Sequence, residues 1–349
     1  MLAPSIQADA QLLTPWLLLL LAGTGLLAYL STAVMVQLGR RHLLDVPVER
    51  SAHSAATPRG GGVAIVITVT CYLLLLYLFD LLSANRLLVL LCAVPVAIVG
   101  LVDDLQALPV RVRLLLHLAA AGMALYLLGP VPEPFFSGWL AMPGWSQTAL
   151  LMVALVWLLN LYNFMDGIDT LAAGQSLFVC AAAGLFLWQQ DDSVMWVCAG
   201  LFMATLGFMF WNLPPARIFM GDVGSTFLGF FLGLVGLVTH YSGVLSVWVW
   251  VLLMSTFIAD TTATLIRRLA TGHSVTEGHS THLYQRLGRR TGNHVTVAAV
   301  YAAVNVCWSL PFAWLAITYP ERGVVLAFSG IVPLMVVAAA LGAGKKEEQ

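Results

Sequence analysis

Apolar residues run along this chain in long stretches separated by short polar segments, a pattern with neither the spacing of an amphipathic surface helix nor the alternation of a half-buried strand. A bilayer's hydrocarbon core is crossed by roughly 17 to 25 such residues. Eleven runs suit that length, near residues 12–38, 61–79, 87–102, 114–129, 147–165, 170–188, 194–213, 224–240, 245–265, 295–316 and 324–341. Backbone in lipid must satisfy its own hydrogen bonds, so the runs predict helices. The expected fold is an all-α integral membrane protein with about eleven transmembrane helices. It forms a single polytopic domain over 1–349, with a transmembrane region at 12–341 and a solvated cytoplasmic tail at 342–349. No basic residue precedes the first run, which is too long for a signal-peptide core, so it is read as a retained helix.

Composition agrees with this picture: 60% of residues are hydrophobic and 9% charged, against about 25% charged in soluble domains. Eleven spans place the termini on opposite sides of the membrane. With the N-terminus outside, 14 of the 16 basic residues fall on the inner side and only Arg86 and Arg322 outside, as the positive-inside rule requires. The net charge of −1 says nothing about nucleic acid, because the charges are segregated by side, and no nucleic-acid partner is expected. All five cysteines (Cys71, Cys92, Cys180, Cys198 and Cys307) lie in apolar runs, which argues against disulfides and thiolate-bound metals.

The chemistry-bearing residues gather on the inner side. Asp103, Asp104, Asp166, Asp169 and Asp222 lie at or just inside apolar segments, with Asp260 a sixth near the end of the ninth run. One such acid alone is commonly a helix cap. Five converging from three loops mark a polar cavity, because ionisable groups in membrane segments are costly. Bare carboxylates sharing one cavity repel and protonate. A hard divalent cation removes that conflict, and oxygen-only ligation suits magnesium, which completes its shell with water and phosphate oxygens. Arg59 in "TPRGGG", Arg113 and the cluster from Arg267 to Arg290 offer partners for phosphate. In "FMGDVGSTFLGF", Gly221 and Gly224 permit a tight turn, and Ser225 and Thr226 suit a helix cap whose free amides face an anion. Phe219 suits stacking on a base. His279 and His282, three residues apart, share a face if that segment is helical; the arginine-rich surroundings favour phosphate contact over zinc. His117 and His240 read as packing or interfacial residues.

Four motifs, "GLVDDLQAL" (100–108), "NLYNFMDGID" (160–169), "FMGDVGS" (219–225) and "HSTH" (279–282), resemble in order and orientation those of the polyprenyl-phosphate N-acetylhexosamine-1-phosphate transferases, glycosyltransferase family 4. "SAHSAATPRGGG" (51–62) is similar to that family's first inner loop, and "EGHSTHLYQRL" to its bacterial O-antigen-initiating branch. The resemblance covers about residues 45–290. It implies a bacterial inner-membrane enzyme that transfers an N-acetylaminosugar 1-phosphate from a UDP-sugar to undecaprenyl phosphate, releases UMP and uses magnesium or, in its place, manganese. The product is undecaprenyl-diphosphate-sugar, the first lipid-linked step of O-antigen or related envelope polysaccharide synthesis. The active-site cleft is then on the cytoplasmic face, and a homodimer is a family expectation.

By position, Asp222 resembles the family's magnesium ligand, and Asp103 and Asp104 its paired acids, assigned to metal binding, acceptor positioning or proton removal. Asn160, Asn163, Asp166 and Asp169 resemble the wall around the nucleotide-sugar. Asn212 and Phe219 resemble the uracil contacts, and His279 and His282 a pair near the diphosphate. Thr170 stands where a Gly is usual, Arg113 where a Lys is frequent and His117 where a Gln is frequent, which leaves the sugar open. A secondary transporter using intramembrane carboxylates for ion coupling is the alternative from another class, although its coupling acids belong near the midplane.

Overall fold

The computed structural model describes residues 4–45, 56–132, 142–273 and 279–345. Each of the eleven apolar runs folds as helix. They are α1 (Pro4–His42), α2 (Gly62–Leu78), a pair broken at Cys92 made of α3 (Ala84–Leu91) and α4 (Ala93–Leu105), α5 (Val110–Leu128), α6 (Gly144–Phe164) and α7 (Leu171–Leu187). There follow α8 (Asp192–Asn212), α9 (Asp222–Tyr241), a second broken pair of α10 (Val247–Leu253) and α11 (Ser255–Ala270), and α12 (Leu283–Thr291). The last are α13 (His294–Val304), joined through a π-helical turn at Asn305–Ser309 to α14 (Leu310–Thr318), and α15 (Gly323–Ala340).

Length and composition reduce the expected count of about eleven spans. Among the described residues eight helices are long and apolar enough to cross a membrane, or nine if the bent α10–α11 pair is one span. The other two runs, α2 and α7, have 17 residues each, which at 1.5 Å per residue reach about 25 Å. Large apolar side chains such as Leu19, Leu115, Leu185 and Phe328 point outward, as a lipid-facing surface requires.

The core centres on α9, whose spanning window is 89% buried where the other spans reach at most 50%. It packs against α4 and α6. Lipid tails are as apolar as leucine, so close packing through small residues holds such helices together. A Cβ on Gly229 would stand 2.7 Å from the Leu158 carbonyl of α6. The ends of α9 are thereby fixed relative to α4 and α6, and its N-terminus is where the acidic motifs meet.

Two strands of two residues, β1 (Leu44–Asp45) and β2 (Thr57–Pro58), pair antiparallel and bring the loop's described end, residues 57–62, beneath this point. That end is then stitched to the segment before α9. Phe219 N–H donates to the Pro58 carbonyl (2.8 Å), and Gly61 and Gly62 N–H donate to Phe219 and Met220 carbonyls (both 2.9 Å). Here glycine is required: a Cβ on Gly62 would lie 2.2 Å from the Gly224 Cα.

The α10–α11 pair bends by 75° at Met254. The Leu253 carbonyl, left open by that break, accepts from Gln175 Nε2 (3.0 Å). Gln175 Oε1 accepts in turn from Asn305 Nδ2 (2.6 Å) and Thr256 Oγ1 (3.3 Å), and Ser255 pairs with Ser309 (2.8 Å). The break is thus closed by side chains from α7 and the π turn. Beyond α15 the expected solvated tail is packed where it is described: Ala343 is buried, and Gly344 N–H donates to the Thr281 carbonyl (2.8 Å).

Candidate active site

Asp103 and Asp104 close the last turn of α4, Asp222 opens α9, and Arg59 and Arg113 reach between them. Asp104 has a fully buried side chain. Its Oδ1 accepts from Asp222 N–H and its Oδ2 from Val223 N–H, both at 3.0 Å, and Arg59 Nε lies 2.9 Å from Oδ1. Asp104 therefore caps α9 from another helix, at the positive end of that helix's dipole. The expectation of free amides waiting for a substrate anion is not met at these first two positions, because the chain supplies its own carboxylate. Ser225 and Thr226 do not cap either; their hydroxyls donate back to the Gly221 (3.0 Å) and Asp222 (2.6 Å) carbonyls.

Asp103 is pinned differently. Its Oδ1 accepts from Leu108 N–H (2.7 Å), which shapes the turn after α4, and its Oδ2 pairs with Arg113 Nη1. The Asp222 carboxylate meets both arginines: Oδ1 pairs with Arg59 Nη2, and Oδ2 is 3.8 Å from Arg113 Nη1. Burial alone would lower the Arg59 pKa, but Asp222, Asp104, Asp45 and Asp166 outweigh it and raise it, so the guanidinium stays charged.

A small pocket opens at this cluster, lined by Asp103, Arg113, Asn160, Asn163 and Asp222, with Val99, Gly100, His117 and Thr226 below. Asn163 Nδ2 donates to Ser225 Oγ (3.1 Å) and Asn160 Nδ2 to the Val156 carbonyl (2.7 Å), which fixes both amides against α9 and α6.

Asp166 and Asp169 share the turn between α6 and α7 but face different partners. Asp166 is half-buried. Burial pushes its carboxyl well above the usual range; Arg59 opposes that shift, and Asp222, Asp104 and Asp169 add to it. Asp169 is buried and accepts from Ala216 N–H (3.2 Å), with His294 Nδ1 3.4 Å away, so it ties the turn to the segment before α9 and to the start of α13. Asn212 is also a brace: its Oδ1 accepts from Thr170 N–H (2.8 Å) and its Nδ2 donates to the Ile218 carbonyl (3.0 Å). Phe219 is half-buried, with both backbone groups in the stitching described above.

His279 and His282 do meet, with ring centroids 4.9 Å apart, but not along a helical face. His282 is the N-cap of α12, and His279 precedes the helix. Burial, the neighbouring His282 and Arg268 lower the His279 pKa to about 4, so its ring is neutral at physiological pH. Beneath them Asp260 repeats what Asp104 does. It accepts from Leu283 N–H (2.8 Å), Tyr284 N–H (3.1 Å) and Tyr301 Oη (2.6 Å), capping α12 from α11. Tyr284 Oη then donates to the Phe164 carbonyl (2.9 Å), docking the histidine segment on the turn that carries Asp166.

The donor set can be tested against magnesium. Among the described residues no three His, Cys, Asp or Glu side chains are placed to hold a metal by themselves. Two carboxylates, Asp103 and Asp222, line one pocket, and magnesium is commonly held by one or two carboxylates with substrate phosphates and water completing the shell. The residues fit a cation completed by its substrate. Even without Asp166, whose carboxyl burial pushes toward its neutral form, Asp103, Asp104 and Asp222 outnumber Arg59 and Arg113.

Sequence comparison points the same way. The family model described as Glycosyl transferase family 4 matches residues 86–240, which include Asp103, Asp166 and Asp222. Phospho-N-acetylmuramoyl-pentapeptide-transferase of Moorella thermoacetica is 32% identical over 257 residues, covering 69% of this chain and 79% of the relative. Undecaprenyl-phosphate alpha-N-acetylglucosaminyl 1-phosphate transferase of Salmonella typhi is 29% identical over 316 residues, 81% of this chain and 80% of the relative. The probable undecaprenyl-phosphate N-acetylglucosaminyl 1-phosphate transferase of Bacillus subtilis is 29% identical over 255 residues, 70% and 69% respectively.

Proposed function

The chain belongs to glycosyl transferase family 4, and from that premise we propose that it transfers an N-acetylaminosugar 1-phosphate from a UDP-sugar to undecaprenyl phosphate. The products are UMP and undecaprenyl-diphosphate-sugar, the first lipid-linked intermediate of O-antigen or a related envelope polysaccharide. The observation that carries the reading is the placement of Asp222 and Asp103 in one pocket, each paired with an arginine, at the ends of membrane-crossing helices. A soluble donor and a lipid acceptor meet only at such a boundary. Ion coupling in a transporter would place these acids deeper. The strongly one-sided distribution of basic residues supports a cytoplasmic site in a bacterial inner membrane.

A bound magnesium ion would be held by Asp222 and Asp103 and would supply charge neutralisation to the donor diphosphate. The chain's own residues do the rest. Arg59 and Arg113 are placed to receive phosphate oxygens as they exchange partners with the two acids. Asn160, Asn163 and Asp166 face the sugar and its phosphate, Phe219 the base, and His279 and His282 the diphosphate. His279, being neutral, contacts it as a hydrogen-bond donor and not as a cation. A phosphate monoester has its second pKa near 6, so the acceptor arrives largely as a dianion and needs no protein base. Its oxygen bonds to the sugar-bearing phosphorus as the diphosphate bridge breaks, and UMP leaves with the bridging oxygen. Asp104, held by two backbone amides and an arginine, keeps the α9 terminus in place during this exchange.

The test is UMP release by purified protein in detergent with undecaprenyl phosphate, magnesium and a panel of UDP-N-acetylamino sugars, beside Asp222→Asn. Release that needs lipid and metal and is lost in the variant is expected, and the panel names the sugar. Folded wild-type protein that releases no UMP with any sugar refutes the reading.

A further inference from the structure

One buried polar atom in the pocket has no partner. His117 lies on α5 one helical turn beyond Arg113, is 5% exposed, and its Nε2 makes no hydrogen bond. Buried polar atoms in native proteins are nearly always paired, and an unpaired one is destabilising until something meets it.

Its surroundings show what that partner is. The pocket lining falls into two tiers. Asp103, Arg113, Asn163 and Asp222 form the upper, charged tier next to the polar loops. Val99, His117, Asn160 and Thr226 each lie three or four residues further into the same four helices, and form a deeper, uncharged one. In that deeper tier the Thr226 hydroxyl donates to the Asp222 carbonyl and Asn160 Nδ2 to the Val156 carbonyl, while Val99 has no side-chain donor. His117 alone keeps a buried ring nitrogen unused. On the same helix Leu114, Leu115 and Leu116 are exposed, so this turn of α5 borders the lipid. A nucleotide-sugar enters from the loops and meets the upper tier first. A phosphate carried on a hydrocarbon chain enters one turn deeper.

We infer that His117 is an acceptor-binding residue, its Nε2–H donating to a nonbridging oxygen of the lipid phosphate and holding that phosphate below the arginines. The inference rests on the transfer reaction proposed above and adds to it the group that recognises the acceptor. No proton changes hands at His117; it makes a hydrogen bond that orients the attacking oxygen.

Initial rates of UMP release, with acceptor and donor varied separately, test this in wild type, His117→Ala, His117→Gln and His117→Asn. Loss of a hydrogen bond to a charged oxygen should raise the acceptor KM of His117→Ala about tenfold and leave the donor KM within about twofold. His117→Gln, whose amide N–H reaches nearly as far, should return the acceptor KM to within about threefold of wild type, while the shorter His117→Asn should not. A purely structural role predicts no such split. Equal rises in both KM values, or an unchanged acceptor KM in His117→Ala, overturn the inference while the transfer reaction stands. If His117→Ala fails to fold, the Gln and Asn variants decide, and equal acceptor KM values in those two overturn it. Binding of a labelled polyprenyl phosphate is measured in parallel without donor, and equal binding by wild type and His117→Ala overturns it independently of turnover. Wild-type protein that binds the lipid through His117 yet releases no UMP refutes the transfer reaction instead.

Discussion

At the scale of single residues, the two acids of the "DGID" turn have separate fates, and this separation has a pH signature. The carboxyl of Asp166 is raised by burial and by its acidic neighbours, so the folded protein favours its neutral form. Stability from this group is fully present below the unfolded pKa of about 3.9 and is lost as pH rises through the higher folded value. Asp166→Asn removes that penalty. The variant should melt higher than wild type at neutral pH without substrate, with the difference vanishing near pH 4, and should transfer sugar-phosphate more slowly. Thermal unfolding in detergent across that range checks the first part and UMP release the second. Next to it, Thr170 occupies φ +66°, a left-handed conformation that costs a β-branched residue about 1–2 kcal/mol. Its hydroxyl donates to the Asp169 carbonyl (2.6 Å), which offsets part of that cost. Thr170→Gly relieves that angle but gives up the hydroxyl bond and a buried methyl and adds about 0.5–1 kcal/mol of unfolded-state entropy, so it should melt close to wild type, while Thr170→Ala, which keeps the angle and loses the bond, should melt lower. The sequence made Thr170 visible only as a departure from a glycine pattern; the backbone angle supplies the reason.

Helices meet at this site by capping one another, and that is where the sequence was least legible. All eleven apolar runs could be marked because their length and hydropathy are local properties. The acids could be marked because charge is rare in such runs. What an acid does depends on which other chain segment reaches it. Asp103 and Asp104 are adjacent, yet one shapes the turn to Leu108 and the other receives the first amides of a helix 118 residues away. Asp260 reads as a sixth acid beside the five of the cavity, and it caps α12. The bend at Met254 was hidden inside a continuous apolar stretch, because the groups that close it come from Gln175 and Asn305. Asp104→Ala should consequently act on the fold before it acts on chemistry. It leaves the Asp222 and Val223 amides uncapped, at a cost of about 1–2 kcal/mol. Asp104→Asn, which keeps one acceptor oxygen, should lose less. Melting temperatures in the order wild type, Asn, Ala would confirm the capping role. An Asp104→Ala protein that melts with wild type would sink it.

For the whole molecule, the buried helix α9 joins the membrane scaffold to the charge cluster, so the site is rigid where it is anchored and electrically incomplete where it is open. Asp103, Asp104 and Asp222 outnumber the two guanidiniums, and the two acids that line the pocket are already paired with arginine. A cation arriving alone must compete with those arginines and finds few remaining protein oxygens. Arriving with a diphosphate, it brings its own ligands, while the released arginines gain phosphate partners. Metal and donor binding should therefore be cooperative. Magnesium alone should raise the melting temperature little, UDP-sugar alone little, and the two together by more than the sum of the separate shifts, as linkage to the folded state requires. Asp222→Asn should abolish the excess while leaving the fold intact, since its backbone N–H still meets Asp104. Additive shifts in wild type would mean that metal and donor bind without reference to each other, and the arginine exchange between Asp222, Asp103 and phosphate would then have to be abandoned.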